Sequence, residues 1–397
     1  MSDHDFDTRL RSALRAKAEG LPYAGDLAGD AIGRARSIRR RAVSATAVLA
    51  VVVVAVPLGL ARIAGDTSAE PPVAEPVGTA RVALDLDALP EGARPSVPYA
   101  DNGVFFLANG AGTADFQSLN YYGADAWGEY VAVTELGGAG DKPRLNLFDN
   151  SGQQSQTVLV EAGADSTAAS TDHRWLAFVD GGEGGASGTI TVALEAGFDS
   201  KNTFRLEGRS AELLSVVDGT VYFRQGGGHP SLQSWSSADK LRSYPYTASM
   251  VSDDGSLVGT FTERGDFTYC YGLAELASDD VRWQSCDWAP TSVSPDGQWI
   301  YATPAYADGY GPTRVAVLDA ETGELVRQVR PDVTNEHLGV VRDAEWESAD
   351  SLLLNVESGG NTALVRLDVL TGEVELATDA VPYAGIDDPD PPPYLLG

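Results

Sequence analysis

Cysteine and histidine are the scarcest chemistry in this chain, two and four residues among 397. His4, His173, His229 and His337 are scattered without metal-ligand spacing, which removes zinc clusters from consideration. Basic residues are few as well, 28 Lys+Arg against 57 Asp+Glu, for a net charge of −29. Nucleic acid is therefore not the expected main partner, because phosphates need compensating cations. No Gly-x-Ser-x-Gly elbow occurs, and the Gly-rich patches lack the Lys and the strand-to-helix setting of a phosphate loop. No Asp-x-Asp-x-Asp-Gly calcium loop occurs either.

Long apolar runs are also rare, and the prominent one lies near the start. Residues 42–61, AVSATAVLAVVVVAVPLGLA, hold no charge. At about 1.5 Å rise per residue this run matches the roughly 30 Å hydrocarbon core of a bilayer. Five arginines, at 34, 36, 39, 40 and 41, precede it, and Arg62 alone follows closely. The positive-inside rule predicts a single pass with the N-terminus in the cytoplasm and the large C-terminal part outside. Some forty residues precede the run, too many for a typical cleaved leader, so an uncleaved signal anchor in the cell membrane is expected.

The charge is uneven in the same sense. Residues 1–41 carry nine basic and six acidic residues, so the acidic excess lies wholly beyond them. Within this tail, Phe6, Leu10 and Leu14 form one apolar stripe at helical spacing, with Arg9, Arg11, Arg15 and Lys17 on other faces. Such a helix lies on anionic lipid or docks on a cytoplasmic protein. Residues 62–79 are rich in Pro and Glu and read as an extended linker. Residues 381–397 repeat that character and read as a solvated tail.

Residues 80–380 are short apolar runs cut by Gly, Asp, Ser and Pro. A recurring unit begins with a turn and continues as a strand: DNGVFFLA at Asp101, AWGEYVAV at Ala126, DHRWLAFV at Asp172, DGTVYFRQ at Asp218, DGSLVGTF at Asp254, DGQWIYAT at Asp296 and DSLLLNV at Asp350. Downstream of some copies stands Leu-Asp-x-x-Thr-Gly-Glu, with Asp319 and Asp368 49 residues apart, and a weaker copy follows Leu147. Alternation on both sides of that turn is a β-hairpin. Each unit thus holds four strands. From Asp172 the turns advance by 46, 36, 42 and 54 residues, a period that predicts an all-β β-propeller, with seven blades favoured and six possible. The first two turns are only about 26 residues apart, so the alternating run RVALDLDAL from Arg81 is expected to complete the ring-closing blade.

SPDGQWIYAT from Ser294 followed by VLDAETGELVRQV from Val317 resembles the blade of TolB-like and WD-repeat-like bacterial propellers. VSDDGSLVGTF from Val251 and STDHRWLAFVD from Ser170 are degenerate copies. The resemblance specifies a blade and carries no catalytic residue or cofactor. More loosely, a basic tail, one membrane helix and a propeller resemble bacterial membrane proteins encoded beside sigma-factor genes, which would make a sigma factor the inner partner.

Three candidate sites follow from the residues. Cys270 and Cys286 flank a turn near Ser278 and face each other in a hairpin, which predicts a disulfide in an oxidising compartment. Trp175 and Trp299 occupy equivalent places in their repeats and read as packing residues. Tyr301, Tyr306 and Tyr310 form an aromatic loop that suits an extracellular ligand or protein. The expected function is non-enzymatic binding outside the cell, with signalling through the tail. The alternative is a propeller enzyme, such as a metal-dependent lactonase, with a channel site assembled from several blades.

Overall fold

The computed structural model describes residues 80–396 apart from 108–111, 117–120, 136–142, 150–151, 161–165, 181–187, 195–200, 207–210, 226–229, 264–268, 307–310, 333–338 and 384–392. The tail, the apolar run 42–61 and the linker 62–79 lie outside the described residues, with Phe6, Leu10 and Leu14 among them. Among the described residues no helix is long and apolar enough to cross a membrane.

The described chain forms seven antiparallel sheets of four core strands each, a seven-bladed propeller. Blade 6 shows how the repeat makes a blade. Trp288–Val293 runs into the Asp296-Gly297 turn, Trp299–Pro304 returns, and Val315–Asp319 and Leu325–Pro331 form the hairpin around Thr322-Gly323. Blades 2 to 5 and blade 7 follow the same order from the inside outward. Inner strands of neighbouring blades touch around the ring. Second and third strands are buried in their middles, as in Tyr130–Glu135 and Arg144–Asp149 of blade 2, whereas its outermost strand, Gln154–Leu159, is largely exposed. Seven apolar clusters lie along the ring, each joining two neighbouring blades, so a single blade has no core of its own.

The first turn of three blades is held by a repeated device. In blades 3, 5 and 6 a serine hydroxyl, Ser170, Ser252 or Ser294, donates to the aspartate two residues on, at 2.5, 2.7 and 2.7 Å. The same serine oxygen accepts the N–H five residues on, at 2.9 Å in all three blades. The aspartate accepts a further N–H, from Arg174, Ser256 or Gln298. Backbone groups that the strands leave unpaired are thereby satisfied. Blade 4 uses Asp218 and Gly219 instead, both at positive φ, the signature of a two-residue type I′ turn. The Trp175 ring of blade 3 lies 2.9 Å from where a Cβ on Gly219 would stand, so both φ and space demand glycine there. Trp299 of blade 6 likewise reaches blade 7, its indole N–H donating to Asp350 at 3.3 Å. Both tryptophans are packing residues, as their place in the repeat predicts.

Three expectations are corrected at the ring closure. The alternating run after residue 80 does not complete the closing blade. Ala80–Leu84 adds a fifth, outermost strand to blade 6, parallel to Leu325–Pro331. The C-terminal end is not wholly solvated: Tyr394–Leu396 is the innermost strand of blade 1, paired with Tyr99–Asp101. Tyr394 is 2% exposed, and its hydroxyl donates to the Asp379 carbonyl at 2.8 Å. Finally, the Asn102-Gly103 turn joins the second and third strands of blade 1, Tyr99–Asp101 and Val104–Phe106. It lies at the end of the ring opposite the other Asp-Gly turns, which is why it falls so close in sequence to the turn of blade 2.

Candidate functional site

A propeller has two faces and an axis, and this one carries different chemistry on each. The turn face holds the connections between first and second strands, and the loop face those between second and third.

The axis is acidic toward the turn face. Asp125 stands on the inner strand of blade 2, Tyr121–Trp127, and Asp343 and Glu345 on that of blade 7, Val340–Trp346. Positions 343 and 345 alternate onto one side of their strand, after a register shift between Val341 and Asp343. Asp253 joins them from the first turn of blade 5. The enclosing protein, aided by Asp343, Asp253 and Asp125, pushes the Glu345 carboxyl up to about 8. The same enclosure lifts Asp125 to about 6, with Asp343 contributing, and Asp343 to about 6, against a bond from the Ala344 N–H. Asp253 is raised by enclosure too, although Thr171 donates to it. Asp343 and Asp253 are open to solvent by surface area. Their surroundings are thus those of a channel walled by protein rather than of a dry core. These carboxylates come from three blades, so their meeting was invisible to local spacing. The alternation of Asp343 and Glu345 on an inner strand was the available signal. Among the described residues no group of three or more His, Cys, Asp or Glu side chains has the geometry to hold a metal ion.

The loop face is aromatic between blades 5 and 6. Phe261 lies near the end of the second strand of blade 5, Leu257–Glu263, and Tyr269 and Tyr271 begin the third, Tyr269–Glu275. Phe261 lies 5.6 Å from Tyr269 and 5.2 Å from Tyr271, centroid to centroid, the latter edge to face. Tyr306 follows the second strand of blade 6 and stacks on Tyr269 across the blade boundary, at 6.4 Å and 5° between planes. It is 74% exposed. A cleft of about 380 Å³ opens beside these rings, lined by Arg224, Ser249, Phe261, Tyr271, Ala289, Pro290, Thr291 and Thr303. Arg224 is ion-paired with Glu212 and donates to the Ala248 carbonyl at 2.8 Å. Cys270, between the two tyrosines, is disulfide-bonded to Cys286, as the hairpin spacing predicts.

The expected tyrosine loop therefore divides. Tyr306 is exposed on the loop face. Tyr301 is not: it sits inside the strand Trp299–Pro304, is 3% exposed and packs in the core shared with blade 7. Tyr310 lies outside the described residues. Phe261, Tyr269 and Tyr271, which complete the aromatic patch, were missed because they belong to another blade.

No protein-family model matches this sequence, and none of the curated proteins compared with it does. Solved structures match in fold. Prolyl oligopeptidase B from Galerina marginata aligns over 69% of this chain and 43% of its own, at 12% identity and a TM-score of 0.48. The dihydro-heme d1 dehydrogenase NirN aligns over 75% and 76%, at 11% identity and 0.46. TolB from Acinetobacter baumannii aligns over 59% and 66%, at 13% identity and 0.37. These neighbours include enzymes and other propellers, and at such identities the likeness carries no functional argument.

Proposed function

We propose that this chain is a single-pass membrane protein that displays a non-enzymatic propeller outside the cell and binds a ligand or protein on its loop face. The exposed Tyr306 ring, stacked on Tyr269 beside a cleft, is the observation that carries the reading. An exposed aromatic cluster is a recurrent feature of recognition surfaces, and loops on a rigid scaffold are where binding residues concentrate. The Cys270–Cys286 bridge supports an oxidising compartment, and the apolar run 42–61 with its arginine flank supports the anchor. In this reading Phe6, Leu10 and Leu14 dock on a cytoplasmic protein, with a sigma factor as the candidate.

A photo-crosslinking residue in place of Tyr306, in the full chain on intact cells, tests the site. Adducts at 306 and none at Leu241, an exposed position on the outer strand of blade 4, are expected. Equal labelling at both would refute it. Protease added to intact cells should remove the propeller and spare residues 1–41.

The axial carboxylates favour a second reading, an enzyme working in the channel, because raised carboxyl pKa values suit acid–base chemistry. Stoichiometric metal in the purified protein, lost in an Asp343→Asn variant, would favour the enzyme.

A further inference from the structure

We propose that the loop-face cleft between blades 4, 5 and 6 takes an uncharged saccharide. This rests on the reading of the loop face as the binding surface and names the ligand class.

Charge narrows the class first. The chain carries −29 overall, yet among the described residues lining the cleft the one ionised side chain is Arg224, already paired with Glu212. An anionic ligand meets no cation there that is not already engaged, and a cationic one meets no lining carboxylate. The site favours neither sign, whereas the channel at the other end of the axis is strongly acidic.

The remaining lining selects among neutral ligands. Phe261 and Tyr271 offer ring surface, extended by Tyr269 and Tyr306. Sugar rings present C–H faces that pack on aromatic rings and an edge of hydroxyls that both donate and accept. The cleft supplies that second half as well. Ser249 donates to the Pro290 carbonyl at 3.1 Å and Thr291 to the Ala289 carbonyl at 3.4 Å, which leaves both hydroxyl oxygens able to accept. Thr303 adds a third hydroxyl on the adjoining blade. Burial raises the Tyr271 phenol above its ordinary range, with Arg224 opposing and Tyr269 adding to the shift, so it stays a donor at neutral pH. A purely apolar ligand would strand these groups, at a cost for each one left unmatched. The cavity, about 380 Å³, falls in the range of small-ligand sites, roughly 300–1,000 Å³.

The site is also held ready. The disulfide ties the strand bearing Tyr269 and Tyr271 to the segment just after Val281–Ser285, which limits the ordering required when a ligand arrives.

The test is calorimetric titration of the full chain in nanodiscs with cellotetraose, chitotetraose, maltotetraose and mannotetraose, and with a proline-rich decapeptide as the contrasting probe. One or more tetrasaccharides should bind, with the same affinity at low and high salt. Tyr306→Ala and Phe261→Ala should each weaken binding about tenfold, the scale of a lost aromatic contact, and Leu241→Ala should leave it unchanged. Tyr306 is exposed, so its variant should melt like the parent and keep the test valid if Phe261→Ala unfolds. Failure of all four saccharides overturns the proposal, as does saccharide binding that Tyr306→Ala leaves intact or that salt abolishes. Peptide binding without saccharide binding overturns the ligand class but leaves the loop-face reading standing. Loss of the photo-adduct at position 306 together with both probe classes removes that reading too.

Discussion

The two faces of the ring are built by opposite rules. On the turn face, blades 3, 5 and 6 place the same serine and aspartate on the same bonds, so that face repeats. On the loop face, connections differ from blade to blade, and the aromatic patch arises where blades 5 and 6 meet. Repetition serves folding, because each blade must solve the same reversal. Departure from repetition is where recognition can arise, because a ligand distinguishes one place on the ring from the other six.

The largest effect that would sharpen this contrast belongs to neither face. Truncation before Tyr394 removes the inner strand of blade 1 and opens the ring between blades 7 and 1. Tyr394→Ala alone should cost about 3–5 kcal/mol, the range for deleting a large buried aromatic, and the truncation more. Thermal unfolding by circular dichroism checks both, and an unchanged melting temperature would show that blade 1 closes without its inner strand.

Next comes the disulfide. Cys270→Ser with Cys286→Ser should cost about 3 kcal/mol, the chain-entropy value for a loop of this size, read by urea denaturation. Peptide mapping without reductant should recover both cysteines in one linked peptide.

The repeated turns should respond less and alike. Ser252→Ala and Ser294→Ala each remove a hydroxyl that donates once and accepts once, and should each cost about 1–2 kcal/mol. Tyr306→Ala on the loop face should fall within about 0.5 kcal/mol of the parent. A large destabilisation by Tyr306→Ala would mean that the aromatic patch is packing, and the contrast between faces would collapse.

A further effect is a pH dependence with an unusual sign. Glu345 is raised by enclosure and by its acidic neighbours to about 8, so the folded state binds protons that the unfolded state has released. Stability from this group therefore falls as pH climbs from the ordinary carboxylate range toward 8. Glu345→Gln should flatten the melting temperature over that window and raise it at the alkaline end. Glu347 behaves oppositely: burial would raise it, but Arg366 and the Ser96 N–H hold it low. That stability is present at neutral pH and is lost as the solution is acidified through its lowered value.

The legibility of the chain in sequence followed the same division. Blade count and strand order were readable because the Asp-Gly turns and the Thr-Gly hairpins recur at blade spacing. The Cys270–Cys286 bridge was readable because both residues lie in one hairpin. The closure was misread at Ala80–Leu84, whose alternation announces a strand but not its partner. Tyr394–Leu396 was missed because a three-residue strand after a proline run has no period to detect.

What the sequence alone determined is local: turns, hairpins, the period and the cross-link, each written within one blade of chain. The partner of the first strand, the closing role of the last, the convergence of Asp125, Asp253, Asp343 and Glu345, and the meeting of Tyr306 with Tyr269 were decided only in the tertiary structure. Each joins residues that the chain keeps tens to hundreds of positions apart, and local propensity carries no term for such distances. Ring closure supplies it, by bringing every blade to one axis and each blade edge against the next.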